Sequence, residues 1–490
     1  MNSPLHTLSI TALATLLNEK KISSYELCEH LLKRIEQFES SENKLNCFIS
    51  LQKEKALACA TKIDNQRSNG THQKYSGIPI AHKDIFCTSG VPTTCGSKML
   101  QNFTPPYSAT VVERLENQGI ISIGKCNMDE FAMGSSNETS AFGSVHNPWD
   151  RTKVPGGSSG GSAASVSACY VPATTATDTG GSIRQPAALC GVTGIKPSYG
   201  RVSRFGQIAF ASSLDQAGII ARTAEDCAIL LSMIAGKDSQ DHTTSSATVP
   251  IFEQSLDQPL QGKKIGVVRS YINQLPNNLA IPIEVALKQF ELLGATLVDV
   301  DLSNHHLAIS VYQIIASAEC SSNLSRYDGI RFGHRTEQAS TFEELIVNSR
   351  SEGFGIEVKR RILLGTFVLS SECFDAYYLT AKQLQENIRQ DYNRVFAEVD
   401  LIIAPTSPCL PFSLGEKVKS PMDMYLADAF TVSVNLAELP AMSIPVGQSN
   451  NLPVGLQLIA PMFQEAMLLA FAHQFQQHTE HHTVIPTPYL

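Results

Sequence analysis

Two clusters of serine and glycine are the residues of this sequence best suited to chemistry. The first, "VPGGSSGGSAA" (154–164), places Ser158 and Ser159 among four glycines, and the second, "DTGGS" (178–182), ends in Ser182. A serine hydroxyl attacks a carbonyl carbon when a base takes its proton and hydrogen-bond donors hold the oxyanion. The two clusters therefore suggest nucleophilic catalysis.

A flexible linker, a phosphate-binding loop and a nucleophile elbow are competing interpretations of the first cluster. The residues after it, "SAASVSACYVPATT" (162–175), suit a buried helix and a buried strand better than a solvated linker. The glycine run lacks the Gly-Lys-Ser/Thr ending of a Walker loop and the spacing of a dinucleotide fingerprint. An elbow needs a buried strand before its serine, whereas "WDRTKVP" (149–155) is polar and contains proline. These three interpretations are therefore disfavoured.

The second cluster offers oxyanion donors beside its serine. Glycine permits unusual backbone dihedrals, so successive amides can curl into a nest of N–H groups. Removing one such donor from an active site typically costs ~3 kcal/mol of transition-state stabilisation. The candidate donors are the amides of Thr179, Gly180, Gly181 and Ser182.

A serine that acts without histidine needs another base, and Lys83 is the candidate. It follows the apolar stretch "GIPIAH" (77–82), which is typical of a buried strand. Burial disfavours the charged form of lysine, so a buried Lys83 can be neutral and accept a proton. Lys83 could instead form a core ion pair with Asp84. Both roles remain open from the residues alone.

Composition limits the class of protein. The chain has 490 residues, of which 43% are hydrophobic and 17% charged, with a net charge of −8. These values are typical of a globular protein with a large core and disfavour a broad nucleic-acid-binding surface. Its 12 cysteines include no Cys-x-x-Cys pair, so we expect neither a disulfide framework nor a metal site. No stretch approaches the ~20 apolar residues of a membrane span, and we expect a cytoplasmic protein.

Helix and strand patterns alternate along the chain. Ser23 and Glu26 form a capping-box pattern within a segment, 1–65, that we expect to be helical, and Thr223 with Asp226 marks another helix start. Buried strands are expected in "GIPIAHKDIF", "GIISIGKCNM", "EVDLIIAPTSP" and "PVGLQLIAP", and a βαβ unit in "KKIGVVRS…ATLVDVDL". Residues 305–395 are predicted to form a mostly helical lobe. The alternation indicates α/β layers around one large sheet.

Taken together, these segments resemble the amidase signature family over nearly the whole chain. Lys83, Ser158 and Ser182 match the Ser-Ser-Lys triad of that family in type, order and spacing. The resemblance implies an α/β fold with a large mixed β-sheet covered by helices on both faces, in a single domain over 1–490. It also implies a cis peptide bond before Ser158. In the implied mechanism Lys83 takes a proton from Ser158, which relays one from the nucleophile Ser182.

A closer resemblance is to one branch of that family, the glutamine-hydrolysing components of bacterial tRNA-dependent amidotransferases. It rests on "NMDEFAMGSS", "RVSRFGQIAFASSLDQAG", "SNLSRYDGIRFG", "EVKRRILLGTF" and "MYLADAF". The branch implies a heterotrimer with B and C subunits, in which ammonia from glutamine passes to a partner. ATP and Mg²⁺ are then expected in the partner, with no cofactor on this chain, and charged tRNA is held mainly by the partner.

Free glutamine carries a carboxylate and an ammonium, so a selective pocket needs a group of opposite charge for each. The resemblance assigns Arg361 to the carboxylate, which an arginine can bind with two parallel hydrogen bonds, and Asp428 to the ammonium. Arg360 or Lys359 could face inward instead, and Asp428 could cap a helix. The further pocket residues implied by the resemblance are Tyr312, Ser135 and Met133.

Two rival functions are a free-standing amidase acting on another amide and a noncatalytic scaffold. A hydrolase of apolar amides has no use for a charged pair such as Arg361 and Asp428. The intact triad argues against a scaffold.

Overall fold

One mixed β-sheet runs through the computed structural model, which describes residues 4–42, 44–418 and 420–490. Its strand order is β1-β3-β2-β4-β6-β5-β10-β11-β9-β7-β8, with both parallel and antiparallel neighbours. The eleven strands found in the described residues, β1 to β11, are Phe48–Leu51, Pro79–Lys83, Ile121–Cys126, Ala173–Thr177, Thr193–Lys196, Ala217–Ala221, Lys264–Val268, Thr296–Val300, Leu401–Pro405, Ala441–Ser449 and Leu452–Ile459.

Helices cover both faces of this sheet, as predicted. Side chains alternate along a strand, and the successive residues Ile219 and Ile220 of one strand belong to two separate hydrophobic cores. The helices of the described residues, α1 to α16, are Ile10–Asn18, Ser24–Glu39, Lys53–Ser68, Thr110–Asn117, Gly160–Ser167, Arg184–Cys190, Ala224–Ile234, Arg269–Ile272, Asn277–Leu292, Ala308–Leu324, Phe342–Gly353, Ile356–Val368, Thr380–Phe396, Pro421–Leu426, Val432–Leu436 and Glu465–Gln477.

The predicted helix starts are confirmed. Ser23 and Glu26 form a reciprocal capping box at the start of α2. Thr223 accepts a hydrogen bond from the Asp226 N–H at the start of α7. The βαβ unit is also confirmed, because β7 and β8 are parallel neighbours joined through α9. Helices α10 to α13 make up most of the predicted helical lobe.

Four strands, β1, β5, β6 and β10, depart from the sequence predictions. Strand β1 (Phe48–Leu51) lies inside the segment 1–65, so the prediction of helix is wrong there. It is a short edge strand, only half-buried, that pairs antiparallel with β3. Strands β5, β6 and β10 are not among the predicted strands, and β10 contains Pro445 in its interior. The sheet accommodates this proline at a bulge, where the pairing with β11 shifts between Pro445 and Gly447.

The sheet brings the two serine clusters and the lysine together. Strands β2 and β4 are parallel neighbours, so their carboxyl ends meet at the same edge. Lys83 is the last residue of β2, and the cluster that ends in Ser182 follows β4 directly. The first cluster leads into α5, which packs on β4.

Candidate active site

Lys83 is fully buried among hydroxyl groups. Its Nζ lies 2.8 Å from the Oγ atoms of Ser158 and Ser159 and 2.8 Å from Oγ1 of Thr177. No carboxylate within the described ranges forms an ion pair with it. Asp84 pairs instead with Lys125 at 3.2 Å, so the alternative of a Lys83–Asp84 core pair is wrong.

Burial lowers the pKa of Lys83 to a value at which the amine can act as a base near neutral pH. Desolvation lowers the pKa of Lys83 from 10.5 to about 7, while the carboxylates of Asp129, Asp178 and Asp215 act in the opposite direction. A large fraction of Lys83 is then neutral at pH 7. Only that form has a lone pair that can take a proton from Ser158.

The first cluster forms a tight loop over Asp129. The Gly157–Ser158 peptide bond is cis, as the family resemblance implies. The Ser158 carbonyl accepts from the Asp129 N–H at 3.2 Å, and the Gly157 N–H donates to Oε1 of Gln185 at 3.0 Å. A Cβ on Gly157 would lie 2.1 Å from Asp129 Oδ2, so this position has no room for a side chain.

The second cluster is held by its carbonyls and side chains. Asp178 accepts two hydrogen bonds from the buried Arg184 guanidinium, both at 2.9 Å. Thr179 Oγ1 donates to Asp215 at 2.7 Å, and Thr431 Oγ1 donates to the Gly180 carbonyl at 2.6 Å. The backbone N–H groups of 179–182 find no acceptor among the described residues. The predicted oxyanion donors are therefore free for a ligand.

Ser182 lies at the wall of a small cavity. The side chain is 8% exposed, and its hydroxyl makes no hydrogen bond within the described part of the chain. The backbone ties the two clusters together, because the Ser159 N–H donates to the Ser182 carbonyl at 3.3 Å. The structure joins Lys83 to Ser158 directly, whereas no hydrogen bond between the Ser158 and Ser182 hydroxyls is formed in the described residues.

Arg361 is the buried cation of this cavity. It is 4% exposed in α12, whereas Arg360 is partly exposed beside it and Lys359 bonds the Ser351 carbonyl near the surface. Its Nε donates to Glu357 at 2.8 Å. Beside the Tyr312 hydroxyl, its two terminal nitrogens have no carboxylate or carbonyl acceptor in the described ranges, which leaves them available for a substrate carboxylate.

Asp428 is the buried anion of the same cavity. Its Oδ2 accepts from the Ser135 hydroxyl, while Oδ1 has no hydrogen-bond partner among the described residues. Neither oxygen accepts from a helix N–H, so the structure does not support a capping role. Desolvation raises the pKa of Asp428 to about 7, against the effect of the Ser135 hydrogen bond. A bound ammonium would satisfy Oδ1 and favour the ionised form.

Tyr312 and Ser135 also line the cavity, but Met133 lies behind it. The Tyr312 ring packs on Gly180, where a Cβ would lie only 2.7 Å from the ring. Met133 is fully buried, with its sulfur 3.7 Å from the Cys320 sulfur. Tyr425 and Gln313 also line the cavity and are absent from the sequence predictions. Tyr425 lies within the quoted segment "MYLADAF" but was assigned no role there, whereas no motif marks Gln313.

Ser159 and Thr177 are two further residues at the site that the sequence predictions lack. The Ser159 hydroxyl bonds the Thr177 carbonyl at 3.1 Å, so its oxygen is left to accept from Lys83. Thr177 is the last residue of β4, as Lys83 is of β2. A prediction that these two strands are parallel neighbours would have placed Thr177 beside Lys83. Both hydroxyls therefore orient Nζ without touching the cavity.

Thr177→Val is expected to lower kcat about tenfold, because one net hydrogen bond of ~1 kcal/mol to Lys83 is lost. The lost acceptor favoured the ammonium form, so the pKa of Lys83 falls and the acid limb of the pH–kcat profile moves to lower pH. Thr177→Ser keeps the hydroxyl and should restore both properties. Parent-like profiles for both variants would show that Thr177 does not position the lysine.

The fold and this Lys-Ser-Ser arrangement are those of amide-hydrolysing serine enzymes. The family model described as Amidase matches residues 26–469, and the chain belongs to that family. It is 55% identical to the A subunit of glutamyl-tRNA(Gln) amidotransferase from Nitrosococcus oceani, over 99% of this chain and 100% of the relative. The protein of that name from Saccharophagus degradans is 53% identical, over 98% and 99%.

Solved structures agree with this assignment. The crystal structure of the glutamyl-tRNA(Gln) amidotransferase A subunit from Thermotoga maritima superposes with a TM-score of 0.81 at 38% identity, over 100% of this chain and 99% of that one. The peptide amidase of Stenotrophomonas maltophilia has a TM-score of 0.81 at 28% identity, over 96% and 97%. Both comparisons confirm the predicted amidase fold.

The described residues meet neither the requirements of a membrane-spanning helix nor those of a metal-binding cluster. None of the helices there is both long and apolar enough to cross a membrane. Within the same residues, His, Cys, Asp and Glu side chains form no group of three that could hold a metal ion.

Proposed function

We propose that this chain is the glutamine-hydrolysing component of a tRNA-dependent amidotransferase. One observation carries the proposal: the Arg361 guanidinium and the Asp428 Oδ1, which has no hydrogen-bond partner among the described residues, line the same cavity as Ser182. Free glutamine has a carboxylate and an ammonium that can bind these two groups. The side-chain amide of the bound glutamine can then reach the nucleophile. The names of relatives more than 50% identical support the same conclusion.

The reaction proceeds through an ester on Ser182. Its oxygen attacks the side-chain carbonyl carbon of glutamine while its proton passes to Ser158, whose own proton passes to neutral Lys83. The amides of 179–182 hold the oxyanion. Collapse breaks the C–N bond, and the proton returns through Ser158 to the leaving nitrogen, which departs as ammonia. Water then attacks the ester, so that glutamate leaves and Ser182 regains its proton.

The rest of the amidotransferase reaction is assigned to partners. We place ATP, Mg²⁺ and most of the tRNA contact in B and C subunits of a cytoplasmic heterotrimer. The partner would use the ammonia to convert misacylated Glu-tRNA(Gln), with Asp-tRNA(Asn) as the alternative substrate. The chain's net charge of −8 supports this division, because a polyanion binds poorly to an acidic protein.

Arg361→Ala tests the glutamine assignment. We expect KM for glutamine to rise about 30- to 100-fold, because a charge-assisted contact of roughly 2–3 kcal/mol with the carboxylate is lost. KM for butyramide, which has no charged group, should change little. Steady-state ammonia release measures both values.

Arg360→Ala is the matched control. Arg360 bonds the same carboxylate, Glu357, but does not line the cavity, so KM for glutamine should stay near the parent value. Equal effects of Arg361→Ala on glutamine and butyramide would rule out the carboxylate contact and favour a free-standing amidase.

A further inference from the structure

A large cleft lies apart from the catalytic cavity. It has a volume of about 1010 Å³, is lined mainly by residues of 98–107 and 326–337, and shares no lining residue with the cavity of Ser182. The His334 N–H donates to the Met99 carbonyl at 2.7 Å, so these two segments are in contact. A Cβ on Gly333 would lie 2.4 Å from the Met99 sulfur, which makes this contact close. The two segments that form most of the cleft are therefore packed against each other.

Cations dominate the walls of this cleft. Lys98, Arg326, Arg331 and Arg335 line it, and Glu337 is the only carboxylate among the described residues that do so. Lys98, Arg326 and Arg335 are exposed and form no ion pair within the ranges that the structure describes. Such a cluster is a local exception in a chain of net charge −8. We call it the basic cleft.

The basic cleft also presents apolar surface. Leu100 and Ile208 contribute to its lining, and Phe332 is 53% exposed there. Exposed aromatic side chains beside arginines are typical of protein interfaces. The combination suits a ligand that carries both apolar and acidic groups.

A buried amide without a partner lies in the same lining. Gln207 is 9% exposed, and neither its Oε1 nor its Nε2 has a hydrogen-bond partner among the described residues. A buried polar group left unpaired costs about 1–3 kcal/mol. Both atoms have almost no exposed surface, so a docked segment would reach them only if this part of the lining moved.

We propose that the basic cleft docks a segment of a protein partner that carries acidic side chains beside apolar ones. The acidic groups would pair with Lys98, Arg326 and Arg335, and the apolar groups would cover Phe332. A nucleic-acid backbone would pair with the cationic side chains but would leave the apolar lining exposed to water. The inference rests on the proposed function, which supplies the partners as the B and C subunits.

The basic cleft is connected to the catalytic loop through Gln207. This residue also lines a smaller cavity of about 190 Å³ together with Asp215. Asp215 accepts from Thr179 Oγ1 at 2.7 Å and from the Phe210 and Ala211 N–H groups. A docked segment would thus act on the residue that positions the oxyanion loop. We expect docking to raise kcat for glutamine.

Charge reversal of the rim tests the docking site. The Lys98→Glu, Arg326→Glu, Arg335→Glu variant should bind the B and C subunits at least about tenfold more weakly at low salt, because like charges face each other across an interface. Its glutamine hydrolysis in isolation should equal that of the parent, since none of the three lines the catalytic cavity. Sedimentation measures assembly, and ammonia release measures hydrolysis.

The matched control reverses three exposed lysines elsewhere, Lys55, Lys62 and Lys288, which are outside the cleft and form no ion pair within the described residues. It should assemble like the parent. In the parent, hydrogen exchange at 98–107 and 326–335 should slow on assembly. Unchanged affinity of the rim variant, without such protection, would overturn the proposal.

Two further outcomes separate this inference from its alternatives. Normal assembly of the rim variant with loss of tRNA binding by the complex would overturn the proposal in favour of an RNA site. A parent that assembles through the cleft but releases no ammonia from glutamine would support docking while refuting the proposed function.

Discussion

Replacing Ser182 by alanine is expected to lower kcat for glutamine by roughly 10⁵- to 10⁶-fold, the size of effect seen when a serine nucleophile is removed. The hydroxyl makes no hydrogen bond within the described residues, so its loss leaves no partner unsatisfied. The Asp178–Arg184 pair that holds the loop is also untouched. Single-turnover ammonia release measures the effect, and thermal unfolding should match that of the parent.

Ser317→Ala is a suitable control for that variant. Ser317 is a fully buried serine in α10 whose hydroxyl also has no partner in the described ranges, but it does not line the catalytic cavity. Its kcat should be that of the parent. Residual activity of Ser182→Ala within tenfold of the parent would show that another group is the nucleophile.

Replacing Lys83 by methionine is expected to lower kcat about 10²- to 10⁴-fold, the usual contribution of a general base. The parent should lose activity as pH falls through about 7, because the pKa of Lys83 lies there and only the neutral amine accepts a proton. That acid limb should be absent from the residual activity of the variant. The pH–kcat profile from pH 5 to 9 measures both. An unchanged limb in Lys83→Met would assign it to another group.

The same pKa shift makes a prediction about stability. Burial depresses the pKa of Lys83 to about 7, below the ordinary 10.5, so the unfolded chain binds more protons between these values. The contribution of Lys83 to the free energy of unfolding therefore rises with pH from about 7 to 10.5. Lys83→Met removes this dependence, and its stability relative to the parent should be higher at pH 7 than at pH 10. Urea unfolding at the two pH values measures the difference.

Short-range patterns in the sequence were sufficient for much of the local structure, whereas the full triad rested on the family resemblance. The capping box at Ser23 and Glu26 predicted α2 because its hydrogen bonds join residues three apart. Ser182 and the amides before it were candidates because of residue type and the neighbouring glycines, whereas Lys83 stayed open between a base and an ion pair, and the relay role of Ser158 came from the family resemblance. Strand β10 was missed, and the sheet accommodates its Pro445 through a bulge against the neighbouring strand β11, which no local pattern records.

The sequence by itself supplied candidates: the serine and glycine clusters suggested a nucleophile with oxyanion donors, Lys83 was a possible base, and the family resemblance added the relay role of Ser158. Only the tertiary structure decided which groups surround each of them. Asp84 pairs with Lys125, which leaves Lys83 without a carboxylate partner among the described residues. The parallel pairing of β2 and β4 places Lys83 beside the hydroxyls of Ser159 and Thr177. Burial, which sets the pKa of Lys83, depends on packing by segments far apart in the chain, and no local pattern records it.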